Sequence, residues 1–278
     1  MRIGAIIQAR TSSTRLPGKV LKELPFNSGI TVLEQVIRRV KKVKLVSDII
    51  LATTQEKEDT ELLKISEKEV IKSFCGSKDD VLSRYYLAAK ENNFDVIVRL
   101  TSDCPCLDPE IVNLAIQNHL DSEADFTTNS GKNFPHGLDV EVINFTALSI
   151  AYHDAKEKYE REHVCPYIYK SNPHLFKIST LLAKSDSDFQ NIRVTLDTEE
   201  DYALLCSIFD YLYYDNNFFG IKEIINLFTN KPWLKLINKK IIQKKIFNSL
   251  DEEIHEALEI LKLQDLERVK ELLEKHFL

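Results

Sequence analysis

The sequence predicts an α/β protein built as a three-layer sandwich, with a mostly parallel mixed sheet and a C-terminal helical extension. Three observations support this prediction. Strand-like and helix-like segments alternate along roughly the first 120 residues, as a parallel sheet covered by helices requires. Shorter strands follow after about Ala124, which indicates a mixed sheet. From about Lys239 onward there is no Gly, no Pro and no strand pattern, which indicates helices.

In the parallel half, apolar runs and capping residues define alternating elements. The predicted strands are Met1–Ala9, Asp48–Thr53, Val70–Phe74 and Asp95–Leu100. The predicted helices are Thr31–Lys44 with Thr31 as N-cap, Asp59–Lys68, Asp79–Asn92 capped by Ser77, and Pro109–His119.

The second half is expected to extend the sheet and to form walls around a ligand site. Its predicted strands are Asp125–Asn129, Leu138–Ile143, Phe176–Ala183 and Asn191–Leu196. Its predicted helices are Phe145–Lys156, Arg161–Lys170 and Thr198–Tyr213. In the tail, apolar residues at helical spacing predict two amphipathic helices that separate near Leu263–Asp265. They are expected to pack on the main domain or on a second copy, and the predicted domains are residues 1–245 and 246–278.

Composition restricts the partners. The 278 residues carry a net charge of −6, which does not indicate a nucleic-acid partner. No apolar run approaches the roughly 20 residues of a membrane span, and no signal-peptide pattern is present, so a cytoplasmic location is expected. The five cysteines form no C-x-x-C pair, which is typical of reduced thiols.

The loop after the first strand carries the strongest functional signal. Within IIQARTSSTRLPGK it holds three cations, Arg10, Arg15 and Lys19, among small hydroxyl residues. Open α/β sheets bind ligands at the carboxyl ends of their strands, and arginine and lysine suit phosphate oxygens. The loop fits neither G-x-x-x-x-G-K-[ST] nor G-x-G-x-x-G. A solvated surface loop is the alternative, but the loop contains no acidic partners for its cations.

The run A-R-x-x-S-x-R-L-P-G-K, Ala9 to Lys19, resembles the nucleotide-binding signature of cytidylyltransferases that make CMP-activated acidic sugars. These are the acylneuraminate and 3-deoxy-manno-octulosonate cytidylyltransferases, and the chain is most similar to the spore coat polysaccharide biosynthesis protein F group. Further matches in the family's order are DDVLSRYYLAAK (79–90), RLTSDCPCLDP (99–109), HGLDVEV (136–142), REHVCPYI (161–168) and VTLDTEED (194–201). The resemblance covers about residues 1–245 and departs at Ser102, where the group usually has Gly; the tail lies outside it.

The resemblance implies a Rossmann-like, nucleotide-diphospho-sugar transferase-like sheet and a nucleoside triphosphate substrate, with CTP indicated by the family alone. In the family the first-loop cations, here Arg10, Arg15 and Lys19, are catalytic and hold the β- and γ-phosphates. The implied nucleotide-binding residues are Ala9, Arg10, Ser13, Arg15, Lys19, Asp79, Arg84 and Thr101. The residues alone leave two interpretations of Arg84 open: its side chain contacts a phosphate or the base, or it is a charge on the helix surface.

The resemblance also implies two metal ligands, Asp103 and Asp197, each following a predicted strand. Mg²⁺, or alternatively Mn²⁺, binds a few carboxylates together with phosphate oxygens and water. The residues alone leave another interpretation open for each. Asp103 could cap the turn before Asp108, and Asp197 could cap the helix that begins at Thr198.

For the acceptor, the matching motifs indicate His136, Asp139, Glu141, Arg161 and His163. A spacing of two places Asp139 and Glu141 on one face of the predicted strand, where they are expected to contact sugar hydroxyls. His163 is either a site residue or a histidine that only satisfies local hydrogen bonds.

The predicted function is metal-dependent transfer of a cytidylyl group from CTP to a sugar, sugar acid or related phosphorylated acceptor. Pyrophosphate is released, the role is surface polysaccharide precursor synthesis, and a homodimer is expected. One alternative is a glycosyltransferase using a nucleotide sugar, for which the Asp-x-Asp motif at Asp186–Asp188 is the candidate. A second alternative is a non-catalytic homologue that acts through its C-terminal helices. The three cations suit a triphosphate better than a diphosphate sugar.

Overall fold

The computed structural model describes residues 1–130, 134–183, 191–241 and 249–277. The chain divides into two compact units, residues 1–241 and 242–278. The predicted domain boundary between residues 245 and 246 lies outside the described residues.

One sheet of seven strands forms the centre of the first unit, in the order β3-β2-β1-β4-β6-β5-β7. The strands are β1 Ile3–Gln8, β2 Asp48–Thr54, β3 Lys72–Gly76, β4 Val96–Thr101, β5 Phe126–Thr128, β6 Glu141–Asn144 and β7 Ile178–Thr180. The first four are parallel, β6 is antiparallel to β4 and β5, and β5 is parallel to β7. The predicted mostly parallel mixed sheet is confirmed.

Helices connect and cover these strands. They are α1 Val32–Val40, α2 Thr60–Lys68, α3 Val81–Glu91, α4 Pro109–Asp121, α5 Phe145–Asp154, α6 Lys158–His163, α7 Glu199–Leu212 and α8 Ile221–Asn230. Thr31 caps α1 as predicted, since its side chain accepts from the Glu34 N–H while Glu34 bonds back to Thr31. The second unit contains α9 Leu250–Leu263 and α10 Glu267–Phe277, which separate where the sequence predicted.

Both faces of the sheet are buried, which explains the continuous apolar run of β1. Ala5 and Ile7 pack in a core with α1, α4, α7 and α8, whereas Ile6 faces a second core with α3 and α5. Successive side chains of a strand point to opposite faces, so one apolar strand supplies both cores. This arrangement is the predicted three-layer sandwich.

Several predicted elements of the second half differ in the structure. Residues 191–196 are not a sheet strand: the backbone of Arg193 forms only an isolated parallel bridge with His136. The predicted helix Arg161–Lys170 ends instead at His163, and a separate π-helical turn covers Tyr167–Ser171. Pro166 explains the interruption, because proline lacks the N–H that a continuous helix would need.

Two further differences concern helix starts. Asp80 rather than Ser77 caps α3, and its carboxylate accepts from the Ser83 N–H at 2.9 Å. The Ser77 hydroxyl accepts one turn earlier, from the Asp80 N–H. Helix α8 is not predicted from the sequence. The N–H group of its first residue, Ile221, donates to the Asp108 carboxylate at 2.9 Å. No helix among the described residues is both long enough and apolar enough to cross a bilayer.

A buried histidine joins α4 to the antiparallel part of the sheet. His119 Nδ1 lies 3.0 Å from the Thr127 hydroxyl, and Nε2 lies 3.0 Å from the Asn144 side-chain oxygen. Burial lowers the pKa of His119, against the smaller opposing effects of Asn144 and Asp125. The fold therefore favours the neutral imidazole.

Acidification is expected to destabilise the fold partly through His119. The unfolded chain protonates His119 more readily than the folded chain does. The stabilisation that the neutral His119 side chain contributes is therefore complete above the ordinary pKa of 6.5 and decreases as the pH falls below that value. Thermal denaturation between about pH 7.5 and 5.5 measures the effect. We expect His119→Gln to have a shallower pH dependence than wild type, and the exposed His174→Gln to match wild type. Equal slopes for all three proteins would contradict this role.

Candidate active site

Three of the residues predicted to form the site meet at the carboxyl ends of β1 and β4. Lys19 Nζ lies 2.7 Å from Asp103 Oδ2 and 2.9 Å from Asp197 Oδ1. Asp103 lies two residues after the end of β4, while Asp197 precedes Thr198, the N-cap of α7. Backbone contacts join the two acidic segments, because the Leu196 N–H donates to the Asp103 carbonyl at 2.8 Å. The chain thus holds two carboxylates around one ammonium group.

The alternative interpretation of Asp197 as the cap of α7 is wrong, and the Asp103 carboxylate is bonded by Lys19. Asp108 caps α4 by accepting from the Glu110 N–H at 2.9 Å. Thr198 caps α7, because its hydroxyl accepts from the Asp201 N–H at 3.3 Å. These neighbours leave the side chains of Asp103 and Asp197 directed at Lys19.

The charges at this point stabilise one another. Burial acts to lower the pKa of Lys19, but Asp103 and Asp197 together raise that pKa above its ordinary value. Burial acts to raise the pKa of both carboxyls, yet Lys19 lowers the pKa of Asp103. Lys19, Arg193 and Arg15 lower the pKa of Asp197 to about 2. All of these groups are therefore charged at neutral pH.

The basic loop is folded on itself and fixed from outside. Gly18 has a φ of 67°, in the left-handed region that favours glycine, and its N–H donates to the Thr11 carbonyl at 3.0 Å. The N–H and hydroxyl of Thr11 both donate to Asp59 Oδ1 at 2.7 Å. The Thr54 hydroxyl donates to the other oxygen of Asp59. Asp59, which the sequence did not indicate, thus anchors the loop to the start of α2.

The loop cations differ in exposure. Arg10 and Arg15 are both exposed, and Arg15 places Nη2 3.0 Å from Asp197 Oδ2, whereas only 12% of the Lys19 side chain is exposed. The acidic partners that the loop sequence lacks are therefore supplied by distant parts of the chain. Ser13 accepts from the Leu16 N–H at 3.4 Å, and buried Ala9 continues β1 by donating its N–H to the Ala52 carbonyl at 3.1 Å.

Thr101, the last residue of β4, supports Asp103. Its hydroxyl lies 3.3 Å from Cys104 Sγ, and hydrogen bonding from Thr101 contributes to the low pKa of Asp103. Among the residues that the structure describes, no group of three or more Asp, Glu, His or Cys side chains is arranged to hold a metal ion. Two carboxylates nevertheless fit Mg²⁺ or Mn²⁺ when phosphate oxygens and water complete the ligands.

Asp79 and Arg84 were both assigned to the nucleotide, but only Arg84 lies on α3, where it is buried. It donates to the Ala52 carbonyl at 3.4 Å, so the alternative of a helix-surface charge is wrong. Burial lowers the pKa of Arg84, and the charge of Arg10 acts in the same direction. Asp79 is exposed, and the adjacent Asp80 makes the helix cap.

The five residues predicted to contact the sugar acceptor lie in three separate places: His136 with Asp139, Glu141 alone, and Arg161 with His163 on α6. His136 Nδ1 lies 3.1 Å from Asp139 Oδ2, and the Ser130 hydroxyl donates to Asp139 Oδ1 at 3.0 Å. Glu141 instead lies 2.5 Å from Arg99 and accepts from the Cys165 thiol at 3.3 Å. The expected shared strand face is not observed, because β6 begins only at Glu141.

The main chain of His136 adjoins the segment that leads to Asp197. Its N–H donates to the Ile192 carbonyl at 2.9 Å, and its carbonyl accepts from the Val194 N–H at 2.7 Å. Gly137 permits this approach: it has a φ of 106°, and a Cβ there would lie 2.7 Å from the Thr195 nitrogen. His136 and Asp139 are therefore placed beside the acidic site.

Arg161 and His163 both lie on α6. The Arg161 guanidinium pairs with Asp80 and donates to the Tyr152 carbonyl at 2.6 Å. It thereby ties α6 to the start of α3. His163 ends α6 and accepts from the Cys165 N–H at 2.9 Å, across a tight turn in which Val164 has a φ of 75°.

The sequence prediction missed Arg193, Asp201 and Asn238. Arg193 places Nη2 2.7 Å from Asp197 Oδ2 and Nε 3.0 Å from Asp201 Oδ1. In the sequence, Arg193 is distinguished only as a charged residue within an apolar segment. Asp201 lies in the motif VTLDTEED, in which only Asp197 has a predicted role. The competing Asp-x-Asp motif at Asp186–Asp188 lies outside the described residues.

Comparison with known proteins identifies related sequences across most of the chain. A sequence model of a family described as cytidylyltransferase matches residues 4–278, so the expectation that the tail lies outside the resemblance is wrong. An uncharacterized protein of Methanocaldococcus jannaschii is 40% identical over 247 residues, covering 88% of this chain and 97% of that protein. Spore coat polysaccharide biosynthesis protein SpsF of Bacillus subtilis is 35% identical, covering 73% of this chain and 85% of that protein.

Solved structures show the same fold. A cytidylyltransferase from Leptospira borgpetersenii superposes with a TM-score of 0.78 at 33% identity, covering 89% of this chain and 100% of that chain. CMP:2-keto-3-deoxy-manno-octonic acid synthetase, determined in complex with CTP, superposes with a TM-score of 0.56 at 15% identity. That match covers 77% of this chain and 100% of the synthetase.

Proposed function

This chain belongs to the cytidylyltransferase family and is a nucleotidyltransferase, and we propose that it transfers CMP from CTP to a sugar-like acceptor. The observation that carries the proposal is the convergence of Lys19 with Asp103 and Asp197, beside Arg15 of the basic loop. Cations at a strand end suit the β- and γ-phosphates, and the two carboxylates suit the metal that accompanies a triphosphate.

In the proposed reaction an acceptor oxygen attacks the α-phosphorus of CTP. A new P–O bond forms, the bond between the α-phosphorus and its bridging oxygen to the β-phosphorus breaks, and pyrophosphate leaves. Arg10, Arg15 and Lys19 would bind the β- and γ-phosphates and stabilise the charge that develops on the leaving group. The protein then contributes mainly orientation and charge stabilisation, as is general for phosphoryl transfer.

We propose that Asp103 and Asp197 hold Mg²⁺ or Mn²⁺. When bound, the ion supplies positive charge that neutralises the triphosphate. The donor set supports this assignment, because both groups are carboxylates that are ionised at neutral pH. Lys19, which bonds both carboxylates, would add a positive charge beside them for the triphosphate.

The acceptor is proposed to be a sugar, a sugar acid or a related phosphorylated compound used in surface polysaccharide synthesis. The name of the Bacillus subtilis relative supports this role. A 3-deoxy-manno-octulosonate cytidylyltransferase of Geobacter metallireducens, 32% identical over 123 residues, supports a sugar-acid acceptor, although only 44% of that enzyme is covered. His136 and Asp139 adjoin the site and are proposed to contact the acceptor.

Pyrophosphate release tests the reaction directly. The protein is incubated with each of the four common nucleoside triphosphates, combined with neutral sugars, sugar phosphates and sugar acids. We expect acceptor-dependent pyrophosphate release with CTP, and a CMP-linked product detected by mass spectrometry. Release of a free nucleoside diphosphate from a nucleotide sugar, without any pyrophosphate from CTP, would favour a glycosyltransferase.

Asp103→Asn and Asp197→Asn test the metal site. Each variant keeps the side-chain shape and removes one carboxylate charge, so we expect weaker Mn²⁺ binding with CTP and a higher Mn²⁺ requirement for turnover. EDTA should abolish wild-type activity. Paramagnetic resonance of free Mn²⁺ measures the binding, and the exposed Asp121→Asn on α4 is the control. Unchanged Mn²⁺ affinity in either site variant would remove that aspartate from the metal site.

A homodimer is the proposed oligomeric state. Apolar side chains of α9, of α10 and of the residues between them are about half exposed or more, which makes them candidates for a contact between copies. They are Leu263, Leu266, Val269, Leu272 and Phe277.

Light scattering tests the dimer. We expect a mass near twice the 32.1 kDa of one chain, and a lower mass for Leu272→Glu, because the variant places a charge in the proposed contact. Lys262→Glu, at an exposed polar position of α9, should keep the wild-type mass. A monomeric wild-type protein would exclude the dimer.

A further inference from the structure

Arg193 bridges the proposed metal ligand Asp197 to a buried carboxylate. Its Nε lies 3.0 Å from Asp201 Oδ1, and its Nη2 lies 3.0 Å from Asp201 Oδ2, so the guanidinium binds this carboxylate with two hydrogen bonds. The same Nη2 donates to Asp197 Oδ2 at 2.7 Å. Arg193 is itself largely buried, with 11% of its side chain exposed.

The partner of Arg193 is held by the surrounding chain. Asp201 lies in the first turn of α7 with 1% exposure, and it accepts from the N–H groups of Asp197 and Thr198 at 3.0 and 3.2 Å. Asn238 adds a bond of 2.9 Å to Asp201 Oδ1 and one of 3.1 Å to the Arg193 carbonyl. A buried carboxylate with this many donors is fixed, and it fixes the planar guanidinium in turn.

From this network we infer that Arg193 is a positioning residue for Asp197. Arg193 and Arg15 hold Oδ2, which leaves Oδ1 directed at Lys19. The orientation of the Asp197 carboxylate is thus set by groups of the protein itself. The inference rests on the proposed function, because it assigns to Arg193 the task of presenting a ligand of the proposed metal.

Arginine is suited to this task and lysine is not. The fork of a guanidinium can bind Asp201 at two points while one nitrogen also reaches Asp197. An ammonium group at the end of a lysine side chain keeps the charge but cannot reproduce the three contacts together. Arg193→Lys therefore separates the geometry of the residue from its charge.

The experiment compares wild type with Arg193→Lys and with the double variant Arg193→Met/Asp201→Asn. Neither change alters the net charge of the site, so a change in Mn²⁺ affinity reports the orientation of Asp197. The double variant also leaves no buried carboxylate without its cation, so it covers the case in which Arg193→Lys does not fold. The control is Arg38→Lys, because Arg38 on α1 also bridges two carboxylates, Glu34 and Glu69, but lies outside the site.

Mn²⁺ binding in the presence of a non-hydrolysable CTP analogue is measured by paramagnetic resonance, beside kcat and KM for CTP. We expect both site variants to lose roughly 10–100-fold in Mn²⁺ affinity or in kcat, the usual effect of removing a residue that orients a metal ligand. KM for CTP should change far less, and Arg38→Lys should match wild type in all three quantities.

A folded Arg193→Lys or double variant that keeps wild-type Mn²⁺ affinity and kcat, with only a lower melting temperature, would show a purely structural role. That result overturns the inference and leaves the proposed function intact. A wild-type protein that releases no pyrophosphate from CTP overturns the proposed reaction instead. The Mn²⁺ measurement still decides the role of Arg193 in that case, because it does not depend on turnover.

Discussion

The contact of Lys19 with both Asp103 and Asp197 is the interaction on which the candidate active site depends. Two carboxylates brought together at the end of a sheet repel each other and resist burial unless a cation lies between them. Lys19 supplies that cation, and the two aspartates raise its pKa. Because the lysine comes from the loop after β1, the same contact joins the basic loop to the acidic segments.

Around this contact, side chains of opposite charge are paired with one another. Arg15 and Arg193 bind the second oxygen of Asp197, Asp201 binds Arg193, and Asp59 fixes the loop that carries the cations. Buried ion pairs contribute little to stability compared with apolar packing, so such a network is better explained by the orientation it imposes. Orientation and charge are what transfer of a nucleotidyl group requires of a protein.

The two buried cores make this geometry rigid. β1 and β4 are covered on both faces, so the strand ends that carry the basic loop and Asp103 have little freedom to move. The segment leading to Asp197 is not a strand of the sheet. Backbone hydrogen bonds to His136 and to Asp103 hold it instead. Fine positioning of Asp197 is therefore left to side chains, above all to Arg193.

The sequence by itself determined the layered fold, the basic loop and the two acidic positions. These features are local: periodicity reveals β1 and β4, and Arg15, Lys19 and Asp103 lie in recognisable motifs. Only the tertiary structure decided the pairings. Lys19 meets Asp197 across 178 positions of sequence, and Thr11 meets Asp59 across 48. Arg193 was missed for the same reason, because a charged residue in an apolar segment reveals its role only when folding places its partners around it.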